Sequence, residues 1–265
     1  MNNDKAPAMV WIFLRGLTRE TAHWGRFLDE FRHAVPNACV ISLDLPGNGQ
    51  LHQIASLQSV GSVVDFCRRE LASQGVKPPY HLLAMSLGAM VATEWAYRFP
   101  QDIAGCVLIN TSFKNFSPFY RRLRPSNYFA LLRLALLSRT PRATENTLLR
   151  LTSHQVAGRE STLAAWVDAR IRRPVAPGNA FWQLMSAARY QARLEAPNTR
   201  LLILCSKLDR LVHARCSLAI ASHWKSPLAV HASAGHDLPL DDPDWVIEQV
   251  QRWLGESSGR CQDSS

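Results

Sequence analysis

The chain has 265 residues, 47% of them hydrophobic, and a formal charge of +9. That is enough apolar material for one sizeable core, and a single domain is expected. Its six cysteines show no C-x-x-C spacing and lie mostly in apolar runs, which argues against a zinc site or a disulfide framework, and its histidines form no metal-ligand spacing, so no metal is expected; nor is a cofactor.

In chain order, residues 1–8 are polar, and the first apolar run, Met9 to Leu14, is too short for a signal peptide or a membrane span. A cytoplasmic location is expected. Strand-like apolar runs recur at Met9–Leu14, Ala38–Leu43, Tyr80–Met85, Gly105–Ile109, Leu201–Cys205 and Leu228–His231. Their continuity suits strands buried on both faces. Helical periodicity falls between them, over Ala22–Phe31, Val60–Ser73, Leu87–Phe99, Ala214–Ser222 and Trp245–Leu254. Alternating strand and helix predict an α/β fold with a mostly parallel sheet of about six strands flanked by helices.

The alternation stops over 111–195. Four helical patterns follow there (Tyr128–Leu137, Thr144–Leu151, Leu163–Ile171, Phe181–Ala192) without a good strand, so 111–195 is expected as a helical insertion into a core formed by 9–110 and 196–255, with a frayed tail over 256–265. The insertion holds fourteen basic and four acidic residues, an excess of ten, while the rest of the chain is close to neutral. Charge of this kind suits nucleic acid, an anionic surface or an acidic partner, but no nucleic-acid recognition motif accompanies it.

Ser86 stands between the strand-like run Tyr80–Met85 and the helical run that opens at Leu87. A serine at a strand-to-helix elbow lifts its hydroxyl clear of the backbone, and small residues two positions either side allow the elbow to close. Here they are Ala84 and Gly88. The plainer reading is a helix-capping serine. A nucleophilic serine needs a base, and the base an orienting carboxylate. Asp209 follows the run Leu201–Cys205, and His236 follows Leu228–His231 in Ala234-Gly235-His236-Asp237. Asp209 is the expected acid, with Asp237 and Asp241 as rivals. Serine, acid and histidine thus each follow a strand's carboxyl end, where an open parallel sheet gathers ligands. The G-x-G-x-x-G of a dinucleotide fold is missing after the first strand.

With Val10-Trp11-Ile12-Phe13-Leu14-Arg15-Gly16, Asp44-Leu45-Pro46-Gly47-Asn48-Gly49, Ala84-Met85-Ser86-Leu87-Gly88 and Gly235-His236, the chain resembles the α/β-hydrolase superfamily from Val10 to Leu254. The resemblance implies a serine hydrolase that cleaves a carboxylic ester or thioester through an acyl-enzyme, with Leu17 and Leu87 as backbone oxyanion donors. C–C hydrolases, lyases and cofactor-free haloperoxidases share the triad, and a non-catalytic binding protein of this fold is the remaining alternative. Arg15 replaces the histidine of the usual His-Gly pair, which makes it a candidate substrate contact. The insertion resembles the family's helical lid, with Tyr128, Phe129, Leu131, Leu132, Leu136, Phe181, Trp182, Leu184 and Met185 expected to line an acyl pocket. Arg121, Arg122 and Arg124, by resemblance to esterases acting on acyl-carrier-protein substrates, are candidates for docking an acidic carrier.

Overall fold

A computed structural model describes residues 9–137, 140–154 and 157–258. Residues 1–8, Arg139, Cys261 and the end of the expected tail, 259–265, lie outside the described residues, as does the side chain of Leu136.

Six strands form one parallel sheet: β1 (Met9–Leu14), β2 (Ala38–Leu43), β3 (Tyr80–Met85), β4 (Ile103–Ile109), β5 (Arg200–Ser206) and β6 (Leu228–His231), in the order β2-β1-β3-β4-β5-β6. Around and between them run α1 (Phe27–Ala34), α2 (Val60–Ser73), α3 (Leu87–Arg98), α4 (Phe119–Arg122), α5 (Tyr128–Leu137), α6 (Pro141–Thr152), α7 (Arg159–Arg172), α8 (Pro177–Arg189), α9 (Arg215–Trp224), α10 (Leu238–Asp241) and α11 (Pro243–Ser258). This is the six-stranded parallel sheet flanked by helices that the alternating pattern predicts.

Successive residues of a strand point to opposite faces, so a run apolar at every position builds two cores at once. Ile12, Leu14, Leu82, Ala84, Leu108 and Ile203 pack with residues of α2, α3 and α9 on one face. Trp11, Phe13, Leu83, Met85, Val107 and Leu204 pack with Phe27 and Phe31 of α1 and with Val246, Val250 and Trp253 of α11 on the other. Complete burial of each large apolar side chain is worth roughly 1.5–3 kcal/mol.

Two expected helices change shape. The run expected as Ala22–Phe31 breaks at Gly25 (φ +54°), leaving a 3-10 turn, Thr21–Trp24, before α1. At the other end, α11 continues through the expected fray point to Ser258. Among the described residues no helix is long and apolar enough to cross a membrane.

The connection from β4 to β5 carries α4 to α8 and is fastened to loops at the carboxyl ends of the strands. Glu145 on α6 is buried between Arg19, 2.6 Å away in the loop after β1, and Arg170 of α7. Burial would raise the Glu145 carboxyl, but the two guanidinium groups outweigh it and hold it below the usual range. Arg173 reaches Glu20 at 2.8 Å, and Thr152 at the end of α6 accepts a hydrogen bond from the Asp237 N–H at 2.7 Å.

The faces of α8 and α5 differ from the expected ones. Asn179, Gln183 and Ser186 form the buried side of α8, while Phe181 and Leu184 are exposed. Phe129, on α5, is 76% exposed, and Leu132 is also exposed. An acyl pocket lined by these four side chains is therefore not what the structure presents. The reason for α8 is its neighbour: it packs on the polar 46–56 loop, where Gln183 donates to Asn48 Oδ1 (2.8 Å) and Ser56 Oγ (3.0 Å).

Candidate active site

The sheet reverses direction of growth between β1 and β3, since β2 lies outside β1 and the later strands add beyond β3. The carboxyl ends of adjacent strands diverge at such a point and leave a crevice. Gly16 and Leu17 leave β1 there, and Ser86 leaves β3.

Ser86 has φ +54° and ψ −114°, a conformation L residues seldom adopt, and α3 begins at the next residue. The turn is possible because its neighbours are small. A Cβ on Gly88 would lie 2.4 Å from the Leu14 carbonyl oxygen, so the start of α3 sits directly on the end of β1. A Cβ on Gly16 would lie 3.2 Å from Ser86 Cβ and 3.7 Å from its Oγ, which puts the Gly16-Leu17 turn beside the hydroxyl. Leu87 is the first residue of α3, and first-turn N–H groups have no intrahelical acceptor. Amides near the hydroxyl at a positive helix end are suited to stabilising a developing oxyanion.

The three candidate carboxylates are separated by their contacts. Asp209, 1% exposed in the loop after β5, places Oδ2 2.7 Å from Nδ1 of His236, itself buried. Its Oδ1 accepts the N–H groups of Leu211 (2.7 Å) and Val212 (2.9 Å). Asp237 pairs with Arg15, and Asp241 accepts from the N–H groups of Gly235 (2.6 Å) and His154 (2.9 Å). Asp209 is thus the carboxylate bonded to the imidazole, while Asp241 shapes the loop that carries His236.

No hydrogen bond joins Ser86 Oγ to His236 in this structure. The two are tied instead to one stretch of chain at the end of β4. Ser86 N–H donates to the Ile109 carbonyl (2.9 Å), and Thr111 Oγ1 donates to the Ser86 carbonyl (3.1 Å). Between those residues Asn110, at φ +46°, donates from Nδ2 to the carbonyl of His236 (2.8 Å) and to Ser206 Oγ (3.1 Å), and its Oδ1 accepts the Ser206 N–H. Sequence reasoning passed over Asn110. Its signal was an asparagine directly after a buried strand, the residue type that best tolerates a left-handed backbone after glycine.

The arginines expected to meet a substrate or carrier are largely engaged within the protein. Arg15 is 3% exposed and pairs with Asp237. Arg122 donates to the carbonyls of Ala187 (2.6 Å) and Ala188 (2.9 Å), the final turn of α8, and burial lowers its pKa. Arg124 donates to the Asp209 carbonyl at 2.7 Å. The guanidinium of Arg121 lies 5.9 Å from the centre of the Tyr120 ring, and its carbonyl accepts the His213 N–H.

Other nucleophile and base candidates are muted by burial. The Cys67 and Cys205 thiols are pushed up to about 12, so they stay protonated near neutrality. His23 is held well below the ordinary histidine range by burial and by Arg19 and Arg15, and is neutral.

With this fold and this arrangement, residues 11–249 match the Alpha/beta hydrolase family, and the chain belongs to it. Among curated proteins, the monoacylglycerol lipase ABHD6 of Mus musculus is 22% identical over 252 residues, covering 88% of this chain and 73% of the lipase. Among solved structures, a thermophilic esterase from Thermogutta terrifontis superposes with a TM-score of 0.73 at 18% identity, covering 94% of this chain and 90% of that one. A membrane phospholipase A described as a bacterial virulence factor superposes at 0.76 with 21% identity, covering 94% and 79%. An esterase from Rhodococcus superposes at 0.74 with 17% identity, covering 94% and 90%.

Proposed function

We propose that the protein is a serine hydrolase that cleaves carboxylic esters through an acyl-enzyme, with Ser86 as nucleophile, His236 as general base, Asp209 as the acid that orients it, and the Leu17 and Leu87 amides as oxyanion donors. The observation that carries this reading is the 2.7 Å contact between Asp209 and His236 Nδ1, made in a chain whose Ser86 occupies a strained strand-to-helix elbow. In the reaction, Nε2 of His236 takes the Ser86 hydroxyl proton as Oγ attacks the ester carbonyl. The Leu17 and Leu87 N–H groups receive the oxyanion, His236 returns the proton to the departing alcohol, and water then attacks the acyl-enzyme by the same route. A Ser86 hydroxyl not hydrogen-bonded to His236 fits this scheme, because such contacts often tighten only when substrate is bound.

The segment 111–195 acts in this reading as a lid anchored to the strand ends. Small neutral esters, including a monoacylglycerol, are the first substrates to test, because the esterase and lipase names of the relatives point to that class. An acidic carrier is a weaker reading, since Arg122 and Arg124 are bound to carbonyl oxygens. The decisive experiment treats wild type and Ser86→Ala with a serine-directed fluorophosphonate and a series of p-nitrophenyl esters. Wild type is expected to label at Ser86 and turn over ester. Ser86→Ala should do neither, with a loss on the order of 10³-fold or more. A folded Ser86→Ala protein with wild-type turnover would overturn the assignment.

A further inference from the structure

We infer that Arg15 and Asp237 form a positioning pair that sets the oxyanion turn, the nucleophile elbow and the histidine loop against one another; the inference rests on the hydrolase reading above. The two residues lie 222 positions apart and meet as a two-point fork, Nη1 to Oδ1 at 3.0 Å and Nη2 to Oδ2 at 2.5 Å, with side chains 3% and 2% exposed. The arginine's other contacts define its place. Its guanidinium lies 4.6 Å from the centre of the Trp24 ring, and Nη1 approaches Met85 Sδ at 3.6 Å.

Each of these neighbours adjoins a residue of the proposed machinery. Arg15 leads directly into Gly16 and Leu17, Met85 precedes Ser86, and Asp237 follows His236. One guanidinium therefore contacts the chain beside the nucleophile and beside the base while its own backbone enters the oxyanion turn. A planar fork on a carboxylate fixes orientation as well as distance, which a lysine ammonium cannot do. Stability alone does not explain the pair, because a buried ion pair is often no better than apolar residues of similar volume. A geometric role does, since the reacting groups must be held to within a fraction of an ångström and a misplacement of about 1 Å can cost on the order of 100-fold in rate.

The test compares wild type, Arg15→Lys, and the charge-free double variant Arg15→Met/Asp237→Leu, which leaves neither charge buried alone. Active sites are titrated to completion with the fluorophosphonate, and kcat and KM are measured on p-nitrophenyl butyrate. The double variant is expected to fold and to lose roughly 10- to 100-fold in kcat per titrated site, with KM within about threefold of wild type. Arg15→Lys should fall between them. A double variant with wild-type kcat per titrated site, or with losses confined to KM or to the active fraction, overturns the pair while leaving the hydrolase reading intact. If the double variant does not fold, wild-type kcat in Arg15→Lys overturns it equally. A wild-type protein that neither labels nor hydrolyses ester overturns the hydrolase reading, and this inference with it.

Discussion

Nδ1 of His236 stands 2.7 Å from Oδ2 of Asp209, and the other oxygen of that carboxylate is already taken by two backbone N–H groups, those of Leu211 and Val212. The carboxylate therefore cannot rotate without losing both. In Asp209→Asn the two amides keep the side-chain oxygen, so the NH2 group must face the imidazole. That forces Nδ1 to accept and puts the ring proton on Nε2, the tautomer that cannot take a proton from Ser86. The expected result is a loss in kcat of about 10⁴-fold with KM little changed. Steady-state kinetics on a p-nitrophenyl ester measure it, and near-wild-type kcat would remove Asp209 from its proposed role.

Ser86 holds a positive φ that glycine adopts freely and serine only at a cost in strain. Ser86→Gly should relieve that strain and raise the unfolding free energy by about 1 kcal/mol while abolishing ester hydrolysis. Gain of stability with loss of activity at one position is the signature of strain kept for function. Urea unfolding of wild type, Ser86→Ala and Ser86→Gly checks it, and a Ser86→Gly protein no more stable than Ser86→Ala counts against functional strain.

The sheet could be read from the sequence because its strands are short apolar runs bounded by turn residues, and only a two-faced burial explains Leu82-Leu83-Ala84 or Leu202-Ile203-Leu204. The order of Ser86, Asp209 and His236 was legible because each follows such a run. The face of α8 was not. Periodicity marks an apolar stripe at Phe181 and Leu184, but the side that packs is chosen by what lies beneath, and beneath it is the polar 46–56 loop that takes Asn179 and Gln183. Long-range ion pairs were equally hidden. Nothing local to Arg15 announces Asp237, and nothing local to Arg19 announces Glu145, 126 residues further on.

Gln183 links the helical segment to the turn that follows β1. Its Oε1 accepts the Thr18 N–H at 2.8 Å, and its Nε2 donates to Asn48, Ser56 and the Pro46 carbonyl. Thr18 follows Leu17 and has φ +58°, so this contact holds a strained residue next to a proposed oxyanion donor. Gln183→Leu keeps the volume but leaves buried polar groups unmatched, at about 1–3 kcal/mol each. We expect a protein less stable by about 2 kcal/mol or more, with a lowered kcat that the loss of folded protein at assay temperature does not account for. Thermal unfolding and kcat per titrated site, measured on the same preparation, separate the two effects. A variant destabilised but fully active per site would confine Gln183 to fastening the helix.

The acid stability of the fold should carry the mark of His81, on the second residue of β3. Its ring stacks on Trp11 at 4.8 Å and meets Trp253 edge-on, and its buried Nδ1 has no partner among the described residues. Burial, assisted by the charge of Arg200, pushes its pKa down to about 4. In the unfolded chain the same imidazole titrates near 6.5, so between those values the unfolded state binds a proton that the native state refuses. Stability therefore depends on His81 being neutral: this contribution is fully present above about pH 6.5 and is lost as pH falls toward 4. The slope from this one group approaches about 1.4 kcal/mol per pH unit inside the window. His23, held neutral by burial and neighbouring arginines, acts in the same direction, so the wild-type profile alone does not isolate His81. His81→Phe does. Whatever the phenyl ring gains or loses in packing is independent of pH, and only the slope reports the titration. Urea unfolding at half-unit steps from pH 7 to 4 should give a shallower fall for His81→Phe than for wild type. Parallel profiles would mean that the native state admits the proton on His81 as readily as the unfolded chain does.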